Sequence, residues 1–446
     1  MGSGRSGNRI WACTIVIALL LGVSGAASAQ GFDPVKATNH YLATVSAEDE
    51  ANTNAYVDTG YMIKVMGLVL ELVIAGLLLR LGWSAKWRDL AERVVKWRFL
   101  QAFIYTPIYL VVTAIIGFPL AWYGGFYVER KFGLGTQDFG AWFVEQLQGL
   151  GISLIVFSLF IAFLYLIIRL SPRRWWLWGS GLVISFLALM MLAGPVFIQP
   201  IFNEYKPMDE GPLKEQILSI ARANGMSVDD VKQVDASKQT NRVSANVSGL
   251  FGTTRIALND NLLNRTSPDG VEAVMAHEIG HYVLNHIWKT MTYFVLIFLA
   301  GFALASGAFN AISRRRGSKW GVRDAADYAG FPLLYAIAAV FFFVTTPMFN
   351  TLTRVHETEA DLFAINATQN PDAWAEVALL TSEYRKLHPP AWEEKYLNHH
   401  PSPWARIHMA MVWKAEHLPA EESPVVLDHR MKPAVSPDKG AALQTD

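Results

Sequence analysis

His277 and His281 stand four residues apart in VEAVMAHEIGHYVLNH, with Glu278 beside the first of them. On a helix with about 3.6 residues per turn, positions i and i+4 share a face, so both imidazoles reach one metal ion. Glu278 borders that face, where a carboxylate can take a proton from metal-bound water. The competing reading is a surface helix whose histidines are satisfied by their neighbours. A catalytic zinc keeps three protein ligands and one open position, so a further donor must come from elsewhere in the chain. RVHETEADLFA supplies it: Glu357 and Asp361 are again i and i+4, which lets one carboxylate bind metal while the other holds a ligating histidine in place. Standing alone, that pair would read as a solvated acidic face. His356 and Glu359 fall on other faces of the same helix and are weaker candidates.

The first of these motifs needs a helix from Gly270 to about Lys289, with Val274, Ile279, Val283 and Ile287 available for packing. Upstream, GPLKEQILSIARANGM has helical spacing and ends at Gly225, while QVDAS and ANVSGLFGTTRIALND carry β-branched residues around glycines and read as short strands with a turn.

The composition places these elements beside a membrane. Of 446 residues, 52% are hydrophobic and only 17% charged, and the apolar residues come in blocks. Windows long enough to cross hydrocarbon lie near Tyr61–Leu81, Leu100–Trp122, Leu150–Leu170, Trp175–Ile198, Thr292–Ile312 and Tyr328–Phe349. A polytopic helical membrane protein is expected. The formal net charge is zero and no basic, aromatic-interleaved patch lies outside the short membrane loops, so nucleic acid is not expected as a partner. At the N-terminus, Arg5 and Arg9 precede an apolar run ending in Ala27-Ser28-Ala29, the pattern of a signal peptide cleaved after Ala29; an uncleaved first transmembrane helix is the alternative. Cys13, the single cysteine, lies in that run, which excludes thiol catalysis and cysteine-ligated zinc from the mature chain.

Lysine and arginine in short loops favour the cytoplasmic side. They cluster at Lys86, Arg88, Arg93, Lys96 and Arg98, at Arg173 and Arg174, and at Arg314, Arg315, Arg316, Lys319 and Arg323. Alternation then puts the 124–148 loop, the 203–290 segment and everything after 350 on the opposite face. In a bacterial inner membrane the active site would look into the periplasm. Lys64 and Glu71, seven residues apart in the first mature span, suggest a protein interior or watery cavity, although Lys64 is also placed to snorkel.

Taken together, HEIGH, HETEADLFA, FYVERKFGLGTQ from Phe126, GPVFIQPIFNEYKPM from Gly194, SGLFGTTRIALNDNLL from Ser248 and HHPSPWARI from His399 resemble the type I CAAX prenyl protease family of membrane gluzincins, over roughly residues 60–410. The resemblance implies a zincin-like catalytic domain and one Zn²⁺ per chain on His277, His281 and Glu357. It implies Glu278 as general base, Asp361 as the partner of a ligand, and His400 and Arg406 as oxyanion-stabilising groups. Ser244, Ala245 and Asn246 would lie on the edge strand that receives substrate main chain. The family pattern has an asparagine-alanine pair and an aromatic there, so side-chain preference does not carry over.

The expected organisation is a signal peptide (1–29), an exported segment (30–60), four transmembrane helices (61–202), a zincin segment (203–290), two further transmembrane helices (291–350), a second catalytic segment (351–417) and a disordered tail (418–446). The fold class is mainly α, with a small β element in the catalytic domain. The expected function is that of a membrane zinc metalloendopeptidase acting on polypeptides, among them misfolded or lipidated membrane proteins. A non-proteolytic transporter or scaffold is the alternative, and it leaves both motifs unexplained. The family implies removal of a C-terminal tripeptide from prenylated proteins in the cytosol, whereas the loop charges favour envelope substrates.

Overall fold

The computed structural model describes residues 32–248 and 255–419; the signal-peptide expectation and nearly all of the tail lie outside the described residues. Six helices are long and apolar enough to cross a membrane: Ala47–Arg80 (α2), Ala102–Lys131 (α4), Phe139–Leu170 (α5), Trp175–Phe202 (α6), His286–Trp320 (α10) and Tyr328–Thr368, whose α-helical part is Phe331–Thr368 (α11). Two of them end in π-helical turns, at Tyr123–Val128 in α4 and Gly194–Ile198 in α6. Pro119 in α4 and Pro195 in α6, which lack an amide proton to donate, fit that loosened bonding. Short helices Pro34–Leu42 (α1) and Trp83–Val94 (α3) flank α2.

Several spans run well beyond hydrocarbon. The 34 residues of α2 rise roughly 50 Å at about 1.5 Å each, against a core about 30 Å thick. Its first turns are polar and capped by Ser46, whose Oγ accepts the Asp49 amide at 3.0 Å. The three basic loops meet at one end of the bundle. Arg88 pairs with Asp327, Arg323 Nη1 donates to Glu92 Oε1 at 2.7 Å, and Arg169 Nη2 donates to Tyr328 Oη at 3.3 Å. Within the bundle, Tyr335 Oη on α11 reaches Glu71 Oε1 on α2 at 3.4 Å, so Glu71 faces another helix.

The polar domain lies at the other end. It comprises β1 (Tyr205–Pro207), α7 (Pro212–Ala223), β2 (Val231–Val234), β3 (Ala245–Ser248), β4 (Arg255–Asn259), α8 (Asp260–Arg265) and α9 (Pro268–Val283). After α11 follow α12 (Pro371–Leu380), a 3₁₀ turn at Thr381–Tyr384, α13 (Ala391–Tyr396) and α14 (Pro403–His417). The sheet order is β1-β2-β4-β3, with β2 parallel to β4 and the outer pairs antiparallel, which is more than the expected strands and turn. Gly225 stands just past α7 at φ 75°, a left-handed position that stops the helix.

Helix α9 is buried on two sides. Ala273 and Ala276 pack in a cluster with Tyr41, Ala364, Trp374 and Ile407, whereas Val271, Met275 and Ile279 pack with Ile217, Ile256 and Leu258 of α7 and the sheet. Helix α1 belongs to the first cluster, and Tyr41 Oη donates to Asp372 Oδ1 at 2.8 Å. The segment before the first span is thus part of the polar domain's packing.

Candidate active site

Pro268 opens α9 and the Ser267 hydroxyl accepts the Gly270 amide at 3.1 Å, which fixes where the helix starts. One turn from its end, Gly280 allows α11 to come close: a Cβ there would sit 2.9 Å from Cδ1 of Phe363. That crossing brings Glu357, near the end of the long α11, opposite the two histidines.

The three expected ligands converge. His277 Nε2 and His281 Nε2 are 3.1 Å apart, His277 Nε2 lies 3.4 Å from Glu357 Oε2, and His281 Nε2 lies 3.5 Å from Glu357 Oε1. Zinc bonds of about 2.0–2.1 Å at tetrahedral angles separate two donor atoms by roughly 3.3 Å. The triangle therefore has the dimensions of one face of a zinc tetrahedron. His277, His281 and Glu357 are the metal-capable group found among the described residues.

The shell behind His277 is fully buried. Its Nδ1 faces Asp361 Oδ1 at 2.8 Å, and Asp361, with no solvent exposure, accepts Arg406 Nε at 2.8 Å and Nη2 at 2.6 Å. Trp374 packs against both groups. The His277 ring stacks on the indole at 5.1 Å, and the Arg406 guanidinium lies over it at 4.8 Å. Asp361 thus occupies the place expected for it. Arg406, expected to face the substrate, turns its Nε and Nη2 to Asp361, because a buried carboxylate needs a buried counter-charge.

His400 does lie beside the ligands, with Nε2 3.2 Å from Glu357 Oε2. Burial, reinforced by the positive charge of Arg385, pushes its pKa down to about 2, so the ring is neutral. Its Nδ1 is buried without a partner among the described residues, and so is Nη1 of Arg385. Burial likewise raises the Glu278 carboxyl to about 7, although Glu278 remains partly exposed to solvent. His277 behaves differently. Burial opposes its charge, but the carboxylates of Asp361 and Glu357 outweigh burial and raise it to about 9, whereas burial and the neighbouring His277 charge lower His281 to about 4.

Strand β3 is an edge of the sheet among the described residues, with Ala245 opposite Leu258 and Asn246 opposite Ala257. Ser244 precedes it, its carbonyl accepting the Asn259 amide at 2.9 Å. Trp374 and Arg385 escaped sequence reading, since neither belongs to a spaced motif and only the tertiary fold brings them to the ligands.

Residues 207–414 match peptidase family M48, and residues 37–204 match the CAAX prenyl protease N-terminal region, described as five membrane helices. The chain belongs to peptidase family M48. This M48 protein is 29% identical over 359 residues to the metalloprotease YhfN of Bacillus subtilis, covering 80% of this chain and 84% of that one. It is 31% identical over 193 residues to CAAX prenyl protease 1 of Saccharomyces cerevisiae, covering 42% of each chain. The crystal structure of S. mikatae Ste24p superposes with a TM-score of 0.71 at 21% identity, covering 85% of this chain and 95% of that one, which shows a shared fold. In this M48 chain four of the six spans fall within or overlap the N-terminal match. It is an integral, multi-pass membrane metalloendopeptidase that acts on polypeptides, and its family implies a metal ion.

Proposed function

We propose that this protein holds one zinc ion on His277, His281 and Glu357 and cleaves misfolded or lipid-bearing envelope proteins at the outer face of a bacterial inner membrane. The observation that carries the zinc reading is the triangle of donor atoms at 3.1, 3.4 and 3.5 Å. Bound zinc supplies Lewis acidity, polarising the scissile carbonyl and acidifying the attacking water.

The residues of the chain do the rest. Glu278, with its pKa near 7, takes the proton of the attacking water and returns it to the leaving amine. The edge of β3 at Ser244, Ala245 and Asn246 pairs with substrate main chain and holds it in register. His400, neutral and with Nε2 3.2 Å from Glu357 Oε2, offers its imidazole N–H to the charge that develops on the substrate carbonyl. Arg385, whose Nη1 has no partner among the described residues, is the cation available to charge developing on the substrate carbonyl. Arg406 and Asp361 keep His277 in its ligating orientation.

The outer-face placement rests on charge. The basic loops gather at the end of the bundle from which α10 runs 35 residues, roughly 50 Å, back to the ligands. Reporters active only in the periplasm or fluorescent only in the cytoplasm, each fused separately after Ala415, test this directly. A periplasmic signal supports envelope substrates; a cytoplasmic one turns the search to prenylated and cytosol-facing membrane proteins. Normal envelope proteolysis under folding stress in a Glu278→Gln strain would count against the quality-control role.

A further inference from the structure

An imidazole that ligates metal through Nε2 carries its proton on Nδ1 and gives it to an acceptor, which fixes both tautomer and ring angle. For His277 the carboxylate placed to accept it is Asp361, whose Oδ1 lies 2.8 Å from Nδ1. For His281 the neighbour in the corresponding place is another imidazole: His281 Nδ1 and His286 Nδ1 are 2.8 Å apart. Two nitrogens at that separation share a single proton.

The far side of His286 decides which ring owns it. His286 Nε2 lies 2.9 Å from Glu359 Oε2, and Lys289 Nζ lies 2.8 Å from the same oxygen. An ionised carboxylate only accepts, so His286 carries its proton on Nε2 and presents a lone pair at Nδ1. The shared proton therefore sits on His281 Nδ1, and His281 Nε2 is free to face the metal. The His286 ring is also held in place. It is 3% exposed and stacks on His356 at 4.3 Å with 6° between planes, and His356 Nδ1 is 3.3 Å from Thr290 Oγ1.

We propose that His286, anchored by Glu359 and Lys289, is a positioning residue that sets the tautomer and orientation of the ligand His281. This rests on the ligand assignment above and adds a second supporting arm to it. The Asp361–Arg406 arm stands behind His277, and the His286–Glu359–Lys289 arm behind His281. The second arm is built from the first turn of α10 and the polar end of α11, so the metal geometry depends on how two membrane helices pack. Asn285, at φ 58°, makes the left-handed step between α9 and α10 that turns His286 back toward His281.

Zinc affinity of the full-length protein in detergent, measured by chelator competition, tests the arm, with the visible spectrum of the cobalt-substituted protein reporting ligand geometry. His286→Leu removes the acceptor and is expected to weaken zinc by roughly 10- to 100-fold and to shift the cobalt spectrum. His286→Asn places a carbonyl oxygen where Nδ1 stood and should bind zinc within a few-fold of the unmodified chain. Glu359→Leu, which leaves the His286 ring in place, should weaken zinc in the same direction and guards against a misfolded leucine variant. Zinc affinity unchanged in both leucine variants, or an asparagine variant as weak as the leucine one, overturns the proposal. His281→Ala sets the floor: if it binds zinc as well as the unmodified chain, the ligand assignment fails and the arm falls with it.

Discussion

Asp361 does two jobs that can be separated. It is fully buried, it neutralises Arg406 through hydrogen bonds of 2.8 and 2.6 Å, and it orients His277 from 2.8 Å. Asp361→Leu strands a guanidinium that is only 5% exposed, which should cost about 3–5 kcal/mol of stability, the range for breaking a buried pair from one side. Replacing both members, Asp361→Leu with Arg406→Met, removes the stranded charge and should recover most of that loss. Zinc affinity should not recover, because His277 still lacks its acceptor; both variants should bind roughly 10- to 100-fold more weakly. Denaturant unfolding of the zinc-free proteins in detergent reads the first quantity, and chelator competition reads the second. The reasoning is refuted if the double variant regains zinc affinity along with stability, or if the single variant unfolds like the unmodified chain.

Other consequences follow from the same geometry. His277 is raised to about 9 in the metal-free chain, so its proton stabilises the fold fully below pH 6.5 and that contribution is lost as pH rises through 9. Zinc must displace this proton, so apparent affinity should climb about tenfold per pH unit below 9 and then level off, with close to one proton released per zinc in calorimetry; a flat profile between pH 6.5 and 8.5 would contradict it. Gly280→Val drives a side chain into Phe363, 2.9 Å from the Cβ position; a loss of about 1–3 kcal/mol is expected, together with weaker zinc binding as α9 and α11 separate. Arg385→Gln should keep zinc and lower kcat by roughly 100-fold with a smaller change in KM, and Arg385→Lys should recover part of it; steady-state peptide hydrolysis checks this.

Much of the molecule was legible because its signals are local. Six apolar windows gave six spanning helices, and two i, i+4 pairs named the four side chains that converge at the proposed metal site, since helical periodicity depends only on neighbours in the chain. The boundaries were less legible. Glu357 was assigned to a segment separate from the last span, yet α11 runs unbroken from Phe331 through Thr368, because nothing in its polar half stops a helix. Likewise α10 starts at His286, six residues before the expected span. The supporting residues were not readable in this way. Trp374, Arg385 and His286 belong to other elements, and their places depend on α9 crossing α11. Arg406 was expected to face the substrate, whereas its Nε and Nη2 donate to the buried carboxylate of Asp361, a pairing that no spacing reveals.

The central claim is that His277, His281 and Glu357 hold one zinc whose attacking water is deprotonated by Glu278. The most direct measurement pairs metal analysis with hydrolysis of an unfolded protein, using purified unmodified chain, Glu278→Gln and Glu357→Gln. The account predicts one zinc per chain with activity in the unmodified protein, one zinc per chain with activity lowered by roughly 100- to 10,000-fold in Glu278→Gln, and greatly reduced zinc in Glu357→Gln. Comparable hydrolysis in Glu278→Gln, or full zinc content in Glu357→Gln, would contradict it.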